Sequence, residues 1–219
     1  MSCYILGAGA HGRVVADILA SSSVAIAGFV DDDARLQGAL VHGHAVLCDT
    51  PTLLAQAAGR PVQVIVALGA APLRLRLTRQ FLDLGHEVIN ALHRQAIVAP
   101  TAAIGRGVCL CAAAVLNPDA VLGDAVIVNT GATVDHDCVI ADGVHLSPGV
   151  HLAGRVRIGA LTFLGVGVAV APRVSIGAGS IIGAGAVVVR DIPADVLAYG
   201  APARVIRRLH GQFDWSRLL

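Results

Sequence analysis

From Val98 to Pro193 the chain places an aliphatic residue at every sixth position. The first residue of each hexad is Ile, Leu or Val sixteen times in succession, from Val98 and Ile104 to Val188, without insertion. The fifth residue is small or β-branched throughout, as at Ala102, Val108, Cys138, Val156 and Ile192. A period of six matches neither a 3.6-residue helix nor strands joined by variable turns. It predicts a β-helix in which each hexad forms one flat side and one corner of a triangular prism, with three hexads per coil and coils stacked ~4.8 Å apart. The first residue then points inward, the fifth fills a corner, and Gly, Asn or Asp at the turns tolerate positive φ.

Upstream the pattern changes to alternating strands and helices. Cys3–Leu6 reads as a short buried strand, followed by Gly7-Ala8-Gly9-Ala10-His11-Gly12 and an apolar helical stretch from Val14 to Leu19. Ala25 to Val30 is a second strand, ending in Asp31-Asp32-Asp33. A helix starts at Thr50-Pro51, with proline at its first position. Val62 to Leu68 is a strand, a helix begins near Pro72, and Val88 to Ala91 is a last short strand. This alternation predicts a small Rossmann-like α/β domain with a parallel sheet over residues 1–93, and the prism with a C-terminal extension over 94–219.

Gly7-x-Gly9-x-x-Gly12 lies between a strand and a helix, where loop amides and a helix start can hold a pyrophosphate. Asp31, about 20 residues on, ends the next strand and can accept from a ribose or base. The domain is short for a full dinucleotide fold, so a nucleoside diphosphate fits its size better. His11 sits within the glycine loop, and His42 and His44 read as surface residues.

The hexad register also sorts the chemistry in the prism. His136 takes a third position, outside the inward first and fifth, and is flanked by Asp135 and Asp137. A carboxylate beside an imidazole fixes its tautomer and stabilises the imidazolium that forms when it accepts a proton, so His136 is a candidate general base. Cys138 takes an inward fifth position and is set aside as an acyl carrier. His145 and His151 fall at sixth positions of successive hexads, and so on different sides. The three histidines do not converge within one chain as a metal site would need. They can meet only across a neighbour, and a homotrimer with sites between prisms is expected.

Composition narrows the classes. Hydrophobic residues make up 55% and aromatics 3%, which suits a narrow prism core. Net charge is +1, which favours no nucleic-acid partner, and all 16 basic residues are Arg, which excludes Schiff-base lysine chemistry and a Walker A loop. Five cysteines without disulfide-like spacing, no signal-peptide pattern and no long apolar run lead to the expectation of a cytoplasmic protein that does not enter a membrane.

A glycine-loop α/β domain, an uninterrupted hexapeptide prism carrying Asn129-Thr130-Gly131-Ala132-Thr133-Val134-Asp135-His136-Asp137, and the closing Gly200-Ala201-Pro202-Ala203-Arg204 together resemble the bacterial nucleotide-sugar N-acetyltransferases. These acetylate a 4-amino sugar on UDP or GDP, as in bacillosamine and perosamine biosynthesis, and are related to sialic acid O-acetyltransferases. The resemblance implies a left-handed β-helix, acetyl-CoA as cosubstrate and no permanently bound cofactor. By position it implies His136 as general base and Asp137 as the carboxylate that raises its basicity. It places Gly9, Ala10, His11, Asp31, Asp32, Gly69 and Asn129 at the nucleotide sugar, and His145, Gly154, Val166 and Ala184 along acetyl-CoA. O-acetylation of a sugar acid and a non-catalytic nucleotide-sugar-binding scaffold are the alternatives; an outward His136 beside Asp137 weighs against the scaffold. Tyr199 to Arg204 is expected to cross the mouth of the CoA cleft. Arg204, Arg207 and Arg208 either meet CoA phosphates or form a solvated basic face. Phe213 and Trp215 are expected to dock on the body or on a neighbour.

Overall fold

A computed structural model describes residues 2–209; Phe213 and Trp215 lie outside them. The N-terminal sheet is built from β1 (Cys3–Leu6), β2 (Ile26–Val30), β3 (Leu40–Val41), β4 (His44–Cys48), β5 (Gln63–Val66) and β6 (Glu87–Val88), in the order β3-β4-β2-β1-β5-β6. All pairings are parallel except the β3–β4 hairpin. That hairpin turns on His42-Gly43, both at positive φ (46° and 79°), the backbone a two-residue hairpin loop prefers. Helices α1 (Ala10–Ser21), α2 (Thr50–Gln56) and α3 (Ala71–Asp83) cover the sheet. Val15, Ile18 and Leu19 of α1 join one core with Ile5, Phe29 and Ile65 of the sheet and Ala91, Cys109 and Ile127 of the prism. On the other side Leu53, Leu77 and Phe81 of α2 and α3 close over Leu6, Val30, Val64 and Val66. The two halves of the chain thus share apolar surface.

The prism has three faces of two-residue strands. The first face contains Ala91–Leu92, Cys109–Leu110, Ile127–Val128, His145–Leu146, Phe163–Leu164 and Ile181–Ile182. The second runs from Ile97–Val98 through Thr133–Val134 and His151–Leu152 to Val187–Val188, and the third from Ala103–Ile104 through Val139–Ile140 to Ser175–Ile176. Partners lie one 18-residue coil apart, as in Leu110 with Val128 and Val128 with Leu146. First positions from Leu110 and fifth positions from Val108 line a single buried core, the inward pattern read from the hexads.

The structure departs from the hexad reading at both ends. Residues 88–91 do not make one strand: Val88 ends the α/β sheet, and Ala91–Leu92 already pairs with Cys109–Leu110 in the prism. At the top Ile192 pairs with Ile176 and Ala198 with Ile182, so the last coil closes in sixteen residues instead of eighteen. Val196–Gly200 then extends the first face, and Ala203–Arg208 returns antiparallel along it.

The corners divide their needs between two positions. The fourth residue of every hexad from Gly107 to Gly185 has positive φ, with Ala113, Asp119, Asp137, Arg155 and Arg173 among the non-glycines. The glycine after the first residue serves close stacking instead. At Gly165, for example, a Cβ would meet the backbone nitrogen of Ala184 in the next coil at 2.7 Å.

Candidate active site

Two constellations emerge. One lies at the corner between the second and third faces. Asp137 is held at φ 58°, the common geometry of that corner, and its Oδ2 meets His136 Nδ1 at 2.8 Å. The same oxygen receives Arg155 Nε at 3.4 Å. Asp135 Oδ1 accepts the His136 backbone N–H at 2.7 Å and Asn117 Nδ2 at 3.0 Å. The His136 bond, then Arg155, holds the Asp137 carboxyl below its usual range. Gly154 stands one coil above His136, and a Cβ there would run into the imidazole Nε2. The missing side chain at Gly154 is therefore what lets the ring lie over the corner. The His136 side chain remains 52% exposed, open to a reactant.

The other constellation lies where the glycine loop, α3 and the first face meet. Gly7 (φ 108°) and Gly12 are sterically fixed: a Cβ at Gly7 would meet Leu68 Cδ2 at 2.7 Å, and one at Gly12 would strike the Gly7 carbonyl oxygen. Gly9 has open space around it and starts α1 without a side-chain cap. Helix α3 also starts uncapped, at Ala70, whereas α2 is capped by Asp49, whose carboxylate accepts from Thr52 N–H. Two uncapped starts leave amide donors for an anion beside the sheet's C-terminal edge. A cavity of about 180 Å³ opens there, lined by Gly7, Asp31, Asp32, Thr50, Leu68 and Leu73 among others. Asp31 uses both oxygens to shape the loop, accepting from Ala8 N–H (2.8 Å) and Asp33 N–H (2.9 Å). Asp32 accepts from Thr50 N–H with Oδ1 alone.

Behind this loop sits Arg74, which the sequence reading did not single out. It is 1% exposed and donates to the carbonyls of Leu68 and Gly69 (both 2.8 Å) in the α/β domain, and of Ala125 and Gly143 (both 2.9 Å) at prism corners. A guanidinium's planar fork suits such multiple acceptors. The signal was its place in the buried stripe Ala71-Arg74-Leu75-Thr78 of α3. Nearby, His11 is pushed down to about 4 and His145 to about 3, by burial first and then by the Arg74 charge. His145 is 7% exposed and edge-on to Phe163 at 5.1 Å. Among the described residues neither of its ring nitrogens has a hydrogen-bond partner, nor has His11 Nε2.

One chain thus brings His136, Asp137 and Gly154 together, and separately His11 and His145. Asn129, Val166 and Ala184 lie on a third site, the corner between the first and second faces, where Val166 and Ala184 stack one coil apart; the Asn129 side chain accepts the Thr130 backbone N–H at 2.8 Å. His151 bonds Thr133 Oγ1 at 2.9 Å on the second face. Among the described residues no three His, Cys, Asp or Glu side chains group as a metal site would need.

The model of the PglD N-terminal domain family matches residues 2–81. Among solved structures the chain is similar to PerB from Caulobacter crescentus in complex with CoA and GDP-perosamine, with 41% identity, 94% of this chain and 97% of that chain covered, and a TM-score of 0.88. A GDP-perosamine N-acetyltransferase from the same organism, with one histidine replaced by alanine and CoA and GDP-perosamine bound, matches at 40% identity, 94% and 96% coverage and a TM-score of 0.89. The acetyltransferase domain of PglB from Neisseria gonorrhoeae, in complex with acetyl coenzyme A, matches at 38% identity, 94% and 98% coverage and a TM-score of 0.87. No curated protein matches the chain. The architecture is that of a small α/β domain followed by a left-handed parallel β-helix.

Proposed function

Because this chain belongs to the nucleotide-sugar N-acetyltransferases of the left-handed β-helix type, we propose that it moves the acetyl group of acetyl-CoA to the 4-amino group of a GDP- or UDP-linked amino sugar, with His136 as general base. The observation that carries this is the His136–Asp137 pair at an exposed corner over Gly154. Asp137 accepts a hydrogen bond from Nδ1–H, which leaves Nε2 with its lone pair free. The sugar amine attacks the thioester carbonyl, Nε2 takes the amine proton as the tetrahedral intermediate forms, and as the C–S bond breaks the imidazolium returns that proton to the departing CoA thiolate, leaving the amide and CoA. Asp137, itself bonded to Arg155, stabilises the transient imidazolium.

The nucleoside end of the nucleotide sugar enters the cavity at the glycine loop. Its diphosphate faces the amides of Gly9, Ala10 and His11 at the start of α1. Gly69, whose carbonyl is engaged by Arg74, offers its N–H. Asp32, with one oxygen unoccupied, accepts from the ribose or base, while Asp31 acts by holding the loop. Asn129 stands beside the acceptor sugar. Gly154, Val166 and Ala184 flank the pantetheine arm, and the unpartnered nitrogens of His145 support its contact with the thioester region. These residues occupy different edges of one prism, so a trimer completes each site by setting the His136 corner of one protomer against its neighbour. Exposed Val121 (42%) and Val139 (36%) on the third face and Ile97 (64%) on the second are apolar surface for that contact. Five free cysteines fit a cytoplasmic setting.

The test offers acetyl-CoA and a panel of GDP- and UDP-4-amino sugars and sialic acids to the protein and to H136A, following CoA release. Transfer to an amino sugar, with kcat lowered about 10²–10⁴-fold in H136A, is expected. Unchanged turnover in H136A, or transfer to sialic acid alone, would end this reading.

A further inference from the structure

The three corners of the prism differ in charge. From Cys111 upward, the corner between the first and second faces carries no charged residue. The corner between the third and first faces carries Arg106, Asp124 and Asp142; Asp142 accepts the Asp124 N–H at 2.8 Å and Arg79 of α3 at 2.7 Å. The His136 corner changes sign along the prism axis. One coil below His136 it carries Asp119; one coil above, Arg155; two coils above, Arg173; and Arg190 lies in the shortened turn after Val188. Arg155 is committed to Asp137. Among the described residues Arg173 and Arg190 form no ion pair, and both are exposed. Asp191, next to Arg190, turns its carboxylate to the Ser175 N–H at 2.8 Å.

We infer that Arg173 and Arg190 hold the phosphates of acetyl-CoA and set the direction in which the donor lies on the prism. This rests on the reading of the chain as an acetyl-CoA-dependent transferase. The thioester must lie at His136. Coils rise ~4.8 Å each, which puts Arg173 ~10 Å and Arg190 ~14 Å above it. The uncharged pantetheine arm, about as long as four extended residues, spans ~14 Å. Its phosphates therefore reach the level of the free guanidiniums when the arm runs upward. If it ran downward the arm would pass Asp119 one coil below, and the two coils beneath His136 on this corner carry no basic residue to receive the phosphates. Arginine suits phosphate through its forked donors, and a basic column raises the local concentration of an anionic donor. The C-terminal hairpin carrying Arg204, Arg207 and Arg208 extends the first face, across the prism from this corner, so those residues of the same protomer do not share this role.

Titration calorimetry of CoA and dephospho-CoA against the unaltered protein, R173A/R190A and R204A/R207A tests the assignment, together with KM for acetyl-CoA and for S-acetylpantetheine. R173A/R190A is expected to bind CoA ten- to a hundredfold more weakly, with a flatter salt dependence, while its kcat and its KM for S-acetylpantetheine stay within twofold of the unaltered values. A smaller loss with dephospho-CoA would place the 3′-phosphate on this column, and an equal loss the diphosphate. Undiminished CoA affinity in R173A/R190A, or an equal loss toward S-acetylpantetheine, overturns the inference. If the unaltered protein binds CoA but acetylates no nucleotide-linked amino sugar, the acceptor reading fails and the column is still decided by calorimetry. If it binds no CoA, both fall.

Discussion

In the prism, fourteen consecutive corners put their fourth residue at positive φ, and half of those residues are not glycine. In the glycine loop, Gly7 and Gly12 admit no side chain at all. The contrast is between a backbone geometry imposed by repetition and one imposed by a single close approach. Each prism corner is braced by hydrogen bonds to the coils above and below, such as Asp137 N–H to Pro118 O and Arg155 N–H to His136 O, so it can carry the ~1–2 kcal/mol of left-handed backbone at Asp137 or Arg155. The loop has no such repeat. It holds its shape because a helix, a strand and the Asp31 carboxylate meet there. A side chain placed on the prism is therefore positioned by register, whereas one placed in the α/β domain is positioned by its neighbours.

Arg74 joins the two regions, and replacing it breaks the comparison most severely. R74M leaves four carbonyls short of a donor at the domain junction, and a loss on the order of 5 kcal/mol is expected from chemical denaturation. The prism's own core is untouched, so unfolding should split into two transitions. A single transition at unaltered stability would show that the shared apolar core alone holds the halves together.

Smaller, and confined to the prism, is G154A. Its backbone is not left-handed, so the fold tolerates alanine, but the new Cβ displaces the His136 ring. A fall in kcat of about 10–100-fold, with the melting temperature unmoved, is expected, because misplacing a catalytic group by about 1 Å costs on this scale. Full activity would mean that the ring does not lie over Gly154 during catalysis.

The smallest effect is in pH dependence. His11 and His145 are lowered to about 4 and about 3 in the folded chain from 6.5. Between those values the unfolded chain binds more protons, so stability rises with pH across that window, is complete above about 6.5, and is lost on acidification. H145Q should flatten part of that slope in melting temperatures measured from pH 4.5 to 7.5. An unaltered slope would place the titration elsewhere than this junction.

Much of the prism was legible because its register is written in single residues. His136 outside and Cys138 inside follow from counting in sixes, and both hold. The extra coil start at Leu92 was hidden because Asn90 occupies the place of a corner aliphatic; its side chain donates to Gly105 O and accepts from Val108 N–H instead. The two-residue slip before Ile192 was hidden because an aliphatic fits inward on either count. Arg74 escaped notice because its partners are carbonyls, which every residue has.

Between Leu110 and Val188 the amino-acid pattern by itself determined which residues of the prism face in or out, and at which corner each one lies, since a period of six leaves no choice once coils stack. It also located the strand–glycine–helix start, since that turn demands missing side chains. Only the tertiary structure decided that a buried arginine ties the two halves together, that Asp31 is spent on its own loop, and that Gly154 makes room for an imidazole one coil below. Those depend on contacts between segments far apart in the chain, and no local periodicity encodes a distance across space.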